Sequence, residues 1–350
     1  MCAIAVLVLA GCGERSSDNE ASGSDSPSAT ESSSSEQFPD FKACMVSDSG
    51  GFDDKSFNQT SHDGLLNAAE NMGVQTGEVE SNAPSEFVDN IQAMVEQDCD
   101  SITTVGFLLG DATLAAAKKN KDIDFSIVDF AYPKAPANLK GLTFNTAEPS
   151  YLAGYLAAAK SKTGVVGTFG GLPIPTVTIF MTGFVQGVEK YNEDNGADVK
   201  VIGWDPDTEK GSFTNDFESK TKGQSTAEEM ITQGADVIMP VAGPAGLGGL
   251  QAAQDNDVWG IWVDTDGCKS AAEYCDSLLT SVMKGMDVAV ETAIKDSASG
   301  KFSNEVYEGT LENGGVALAP YGPQADVDSE LDAKIQDLKQ QIIDGEIKVG

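Results

Sequence analysis

Apolar and polar residues follow a regular pattern along this chain from residue 41 onward. Short apolar runs predict buried strands at 41–47, 74–80, 101–107 and 125–130. The longer segments between them carry apolar residues at helical spacing and predict helices at 57–72, 84–97 and 113–120. Strands that alternate with helices in this way are typical of a parallel sheet covered by helices on both faces.

The same pattern restarts after residue 149 and predicts a second α/β half. Its helices are expected at 151–160 and 177–191, and its strands at 163–169, 199–204, 237–241 and 260–264. Near the C-terminus, four apolar residues share one helical face that should pack on a lobe: Leu331, Ile335, Leu338 and Ile342. The folded part has roughly 310 residues, more than one hydrophobic core usually serves, so we expect two lobes.

The N-terminal residues do not show this alternation of strand and helix patterns. Residues 1–10 are apolar and are followed by Gly11 and Cys12, which is typical of a secretory signal and similar to a bacterial lipoprotein signal. The run is shorter than the roughly 20 residues that a membrane-spanning helix needs. Residues 13–38 are rich in Ser, Asp, Glu, Ala and Gly and predict a disordered tether. We therefore expect a protein outside the cytoplasm, attached to the bacterial cell membrane only by a lipid on Cys12.

Charge narrows the possible partners. The chain has 22 Lys and Arg against 55 Asp and Glu, a formal net charge of −33. Nucleic-acid binding depends on cationic neutralisation of phosphates, so this composition argues against a nucleic-acid partner. The charge is otherwise that of a solvated acidic surface, which favours solubility.

Cysteine and histidine usage bears on disulfides, metals and catalysis. Beyond Cys2 and Cys12, four cysteines remain in the predicted exported body, and an even number suggests two disulfides. Three pairings are possible, of which we favour Cys44–Cys99 and Cys268–Cys275. His62 is the only histidine and no C-x-x-C spacing occurs, so no metal, cofactor or histidine-dependent catalytic triad is predicted. We expect a protein that is not an enzyme.

One motif is long enough to carry a family resemblance. Residues 45–59 read MVSDSGGFDDKSFNQ and closely resemble the opening motif of the basic membrane protein family, solute-binding lipoproteins that include purine-nucleoside receptors of ABC transporters. Further similar segments follow in family order at 151–155, 170–184, 234–238, 241–243, 263–266 and 279–284. The resemblance spans residue 41 to the C-terminus.

The resemblance implies a two-lobe periplasmic-binding-protein type I fold, in which each lobe is a mainly parallel sheet flanked by helices. It also implies three crossovers between the lobes. We accordingly expect lobe 1 at 39–147 plus 280–312 and lobe 2 at 148–279 plus 313–350. A helix carrying Lys284 should return the chain to lobe 1.

The resemblance also implies a function and a set of ligand residues. The protein would bind a purine nucleoside between its lobes, close around it by hinge motion and pass it to an ABC permease, working as a monomer. Phe57 would stack on one face of the base, and either Phe213 or Phe217, with a slight preference for Phe213, on the other. The polar residues expected at the ligand are Asp48, Asn58, Asp129, Gly243, Asp264 and Lys284.

This chain departs from the family pattern at two loops of the predicted site. Where the family commonly has Gln after its second Asp, this chain has Gly267 and then Cys268. The loop that carries the second aromatic ring is also longer than usual. The alternative ligands are a pyrimidine nucleoside or a sugar-like solute, and a surface adhesin is an alternative of another class.

Overall fold

The structure is a computed structural model that describes residues 36–350. The predicted signal, the lipidation of Cys12 and nearly all of the predicted tether lie outside these residues. None of the described helices is long and apolar enough to cross a membrane.

Strands and helices alternate over most of the described chain. The strands are β1 (Lys42–Ser47), β2 (Gln75–Val79), β3 (Ser101–Val105), β4 (Asp124–Val128), β5 (Leu139–Phe144), β6 (Val165–Gly170), β7 (Lys200–Ile202), β8 (Trp204–Asp205), β9 (Lys210–Gly211), β10 (Val237–Val241), β11 (Trp259–Asp264), β12 (Leu278–Lys284), β13 (Tyr307–Gly309) and β14 (Val316–Leu318). The helices are α1 (Phe57–Met72), α2 (Phe87–Glu96), α3 (Gly110–Lys119), α4 (Ala147–Lys160), α5 (Pro175–Asn195), α6 (Lys220–Thr232), α7 (Gly243–Asp255), α8 (Gly267–Ser270), α9 (Met286–Ala298) and α10 (Ser329–Ile343).

Two six-stranded sheets form the cores of two lobes. The first sheet has the order β13-β5-β4-β3-β1-β2 and is parallel throughout. The second has the order β14-β12-β11-β10-β6-β7, in which only the β12–β14 pair is antiparallel. The predicted two-lobe α/β fold with mainly parallel sheets is therefore confirmed. Apart from the direction of β14, the two sheets share one strand order.

The chain passes between the lobes three times: from β5 to α4, from β12 to α9, and from β13 to β14. The second passage differs from the prediction. β12 belongs to the second sheet along its whole length, so the chain leaves lobe 2 at Gly285 and not at residue 280. Lys284 consequently ends a strand and does not lie on a helix. The helix that packs against α1 of the first lobe is α9, which begins at Met286.

Strand β5 has no counterpart among the predicted elements. Its six residues include Lys140, Gly141 and Thr143, which interrupt the apolar run that a buried strand usually shows. Gly141 is required by packing, because a Cβ there would lie 2.5 Å from the carbonyl oxygen of Phe130. The glycine that this close contact requires therefore weakens the sequence signal of β5.

Two disulfides are present in the described chain. One joins Cys44 on β1 to Cys99 just before β3, with Cα atoms 6.0 Å apart. The other joins Cys268 to Cys275, with Cα atoms 4.6 Å apart, in the segment after β11. These are the two pairs that the sequence favoured. On α10, three of the four apolar residues singled out from the sequence are buried, and Leu331 packs against the same core from a half-buried position.

Candidate functional site

A cleft lies between the carboxyl ends of the two sheets. Ligands of open α/β sheets bind at this edge. Of the nine ligand residues expected from the sequence, eight line the cleft: Asp48, Phe57, Asn58, Asp129, Phe217, Gly243, Asp264 and Lys284.

Two of the carboxylates occupy equivalent places in the two lobes. Asp129 follows β4, and Asp264 is the last residue of β11, which holds the same position in the second sheet. Both have left-handed backbones, with φ of 65° and 71°. Asp tolerates this conformation better than most residues, yet it remains costly and is commonly found at functional sites.

Lys284 lies between these two carboxylates. Its Nζ is 2.5 Å from an oxygen of Asp129 and 3.6 Å from one of Asp264, and its side chain is 3% exposed. It is the only cation among the described residues that line the cleft. Burial raises the pKa of Asp129, whereas the adjacent Lys284 lowers it. The ammonium also lies 4.9 Å from the ring centre of Phe57 and 5.1 Å from that of Phe180, distances typical of cation–π contacts.

The loop before α1 orients the first-lobe side chains. The carboxylate of Asp54 accepts hydrogen bonds from the backbone N–H groups of Ser56, Asn58 and Gln59 at 2.9–3.0 Å. This carboxylate satisfies donors that the start of a helix leaves unpaired. It thereby fixes the turn from which Phe57 and Asn58 enter the cleft. Burial raises the pKa of Asp54 to about 6.

Asn58 is held in one orientation. Its Nδ2 donates to Asp48 at 3.0 Å and to the carbonyl of Ser49 at 3.3 Å. Its Oδ1 is buried without a protein partner and so offers an acceptor to a ligand donor. Burial raises the pKa of Asp48 to about 8, with the carboxylates of Asp54 and Asp129 acting in the same direction and the bond from Asn58 opposing it.

The two candidate rings of the second lobe are in different places. Phe217 lines the cleft, where Gly171 leaves room for its ring. Phe213 does not line the cleft; it bridges to Gly170 and packs edge-on against Trp204, with ring centres 6.1 Å apart. The slight preference for Phe213 was therefore misplaced. Phe213 follows the antiparallel pair of β8 and β9 and is held at the sheet by its bridge to Gly170, whereas Phe217 lies four residues further on, in the cleft.

Other lining residues were not predicted as ligand residues. Asp54 and Phe107 lie in the loops that follow β1 and β3, at the carboxyl edge where ligands of open α/β sheets bind. Phe180 lies inside α5, where the sequence carries only the signal of a core residue. Gly243, which was expected at the ligand, begins α7 with φ of 51°, and its backbone faces the cleft. The described chain holds no cluster of three or more metal-ligating side chains.

Comparison with known families agrees with this geometry. The family model described as "ABC transporter substrate-binding protein PnrA-like", the Bmp family, matches residues 41–350. The chain belongs to the Bmp family. Bmp proteins are substrate-binding components of ABC transporters, and the predicted family resemblance is confirmed.

Relatives of this Bmp chain cover nearly its whole length. The "ABC transporter nucleoside-binding protein BmpA" of Lactococcus lactis subsp. cremoris is 32% identical, over 98% of this chain and 95% of its own. "Basic membrane protein A" of Borreliella burgdorferi is 31% identical, over 88% of this chain and 87% of its own. The crystal structure of an ABC transporter solute-binding protein from Aeropyrum pernix K1 superposes with a TM-score of 0.79 at 26% identity, over 88% and 92% of the two chains.

Proposed function

We propose that this Bmp protein binds purine nucleosides between its lobes and delivers them to the permease of an ABC importer. The observation that carries the proposal is a pair of phenylalanine rings, Phe57 from the first lobe and Phe217 from the second, that line one cleft. A flat aromatic base is the ligand that such a pair suits best, because stacking on a ring contributes roughly 1–3 kcal/mol per base.

The polar residues complement the two ends of a nucleoside. The hydroxyls of ribose suit Asp264, since hydrogen bonds to a charged acceptor are about twice as strong as neutral ones. Lys284 and the amide of Gly243 supply donors on the same side. The N–H groups of a base edge suit the carboxyl groups of Asp129 and Asp48 and the free Oδ1 of Asn58.

The cellular setting follows from the same family. The Lactococcus lactis relative is named as a nucleoside-binding protein, which supports the ligand class. Substrate-binding proteins of ABC importers work outside the cytoplasm, and they bind their solute without turnover. We propose that the chain is held at the bacterial membrane by a lipid on Cys12 and acts as a monomer.

Calorimetry tests the ligand class. We expect adenosine, guanosine or inosine to bind with a Kd of about 1 μM or tighter, equivalent to about −8 kcal/mol. AMP should bind far more weakly than adenosine, because four carboxyl groups and one lysine line the cleft. Cytidine and free ribose serve as controls. Tighter binding of AMP, cytidine or ribose than of every purine nucleoside would contradict the proposal.

Removal of either ring should weaken binding. Phe57→Ala and Phe217→Ala are each expected to reduce nucleoside affinity by roughly 1–3 kcal/mol, about 5- to 150-fold, through lost stacking. Phe57→Ala should also reduce the compaction that small-angle X-ray scattering detects on adding nucleoside. Phe213→Ala is the matched control, since this ring lies outside the cleft and its loss should leave the affinity unchanged. Wild-type affinity in both cleft variants would disprove the stacking arrangement.

A further inference from the structure

Ser56 occupies the N-cap position of α1, but its side chain does not cap the helix. It directly precedes α1, and a serine at that position usually accepts a hydrogen bond from an N–H of the first turn. The Ser56 side chain makes no such bond. The carboxylate of Asp54 takes the N–H groups of Asn58 and Gln59 instead. The Ser56 hydroxyl is therefore free to act elsewhere.

The hydroxyl reaches across to the other lobe. Its Oγ donates to Oδ2 of Asp264 at 2.6 Å, and the carbonyl oxygen of Val263 is a more distant acceptor at 3.5 Å. Ser56 and Asp264 are both buried, at 0% and 6% exposure. The second oxygen of Asp264 lies 3.6 Å from Nζ of Lys284. The carboxylate is thus oriented at both oxygens, by Ser56 from lobe 1 and by Lys284 from its own lobe.

A second bond joins the same two segments. The indole N–H of Trp262 donates to the carbonyl oxygen of Lys55 at 3.2 Å. Trp262 is fully buried, and Lys55 has a left-handed φ of 62°. Adjacent residues of one lobe, Lys55 and Ser56, therefore meet the strand end of the other lobe at two points.

We infer that Ser56 is a positioning residue for ligand binding, which orients Asp264 toward the ligand and holds the closed lobes together. The inference rests on the proposed function, because it assumes that a nucleoside binds at Asp264. Ser56 and Asp264 belong to different lobes, so their bond exists only while the cleft is closed. Loss of this hydrogen bond should raise the rate of ligand dissociation and leave the rate of association with the open cleft unchanged.

Stopped-flow kinetics with adenosine, guanosine and inosine test this role. Ser56→Ala should raise the dissociation rate constant about tenfold and change the association rate constant less than twofold. Ser61→Ala is the matched control: it is also a buried serine, one turn further along α1, and its hydroxyl donates to the Phe57 carbonyl within the helix. This control should release nucleoside at the wild-type rate.

A double-mutant cycle separates positioning from general stability. With Asp264→Ala as the background, Ser56→Ala should have a much smaller effect on affinity, because the nearer acceptor of the Ser56 hydroxyl is already gone. Three outcomes would overturn the inference: unchanged release by Ser56→Ala, equal effects of the two serine variants, or an undiminished effect in the Asp264→Ala background. Failure of the wild-type protein to bind any of the three nucleosides would instead overturn the proposed function, and this inference with it.

Discussion

Lys284→Met is expected to weaken nucleoside binding by about 3–5 kcal/mol, which is more than 100-fold. The Lys284–Asp129 pair joins lobe 2 to lobe 1, so closure of the cleft around a ligand buries it. Removing one partner of a buried ion pair costs this much because it leaves the other charge buried without compensation. Here two carboxylates lose their cation, since Nζ of Lys284 lies near both Asp129 and Asp264. Titration calorimetry with adenosine, guanosine and inosine measures the loss.

The pH dependence of nucleoside affinity in the Lys284→Met variant tests whether an uncompensated buried carboxylate causes the loss. Burial already raises the pKa of Asp129, and removing the adjacent ammonium should raise it further. A carboxyl group with a raised pKa is favoured in its protonated form, so the penalty should be small at pH 5 and grow as the pH rises to 8. The affinity ratio of wild type to variant should therefore increase with pH.

Lys269→Met provides the control for this variant. Its side chain is 84% exposed and pairs with Asp266 at 3.4 Å, an arrangement that typically contributes little. We expect near-wild-type affinity across the same pH range. Equal losses in the two lysine variants, or a Lys284→Met loss that does not vary with pH, would argue against an uncompensated buried charge.

Removal of the Cys44–Cys99 disulfide should lower the free energy of unfolding by about 4 kcal/mol. The bridge closes a loop with a sequence separation of 55, and long loops lose the most entropy when they are closed in the unfolded chain. The two cysteines are almost fully buried within the first-lobe core. Urea denaturation of the Cys44→Ala/Cys99→Ala double variant measures the difference.

The second bridge is the internal comparison. Cys268–Cys275 has a sequence separation of 7, and the same relation gives a smaller loss of about 2–3 kcal/mol for Cys268→Ala/Cys275→Ala. The order of the two losses is therefore the test. A larger loss from the short bridge would show that native-state packing, and not loop closure, controls these stabilities. Peptide mapping under non-reducing conditions should detect both bridges and no crossed pairs.

Much of the fold could be predicted from the sequence, because its signals are local. The helix at Phe57–Met72 and the strand at Val237–Val241 have the predicted bounds. The helix ends at Met72 and is followed by Gly73, which has a left-handed φ of 70°. The strand is five consecutive buried residues. Strand β5 was not predicted, since a glycine required by close packing breaks its apolar run.

The same difference between local and non-local signals applies to the candidate site. Asp48 and Asp129 follow apolar strands and Asp264 ends one. Because ligands of open α/β sheets bind at the carboxyl ends of the strands, all three can be located from the sequence. The choice between Phe213 and Phe217 depends on how a long loop crosses the sheet, which spacing does not determine. The position of Lys284 at a strand end depends on pairing with two distant strands. Non-local pairing is the information that a single sequence lacks.

The shared strand order of the two sheets has a consequence for how the cleft is charged. Asp129 and Asp264 are counterparts, so each half of the chain contributes one carboxylate to the same point. Lys284 ends β12, and its counterpart at the end of β5 is Phe144. Two identical halves would supply either two lysines or none. Because both halves belong to one continuous chain, a single lysine can serve two carboxyl groups.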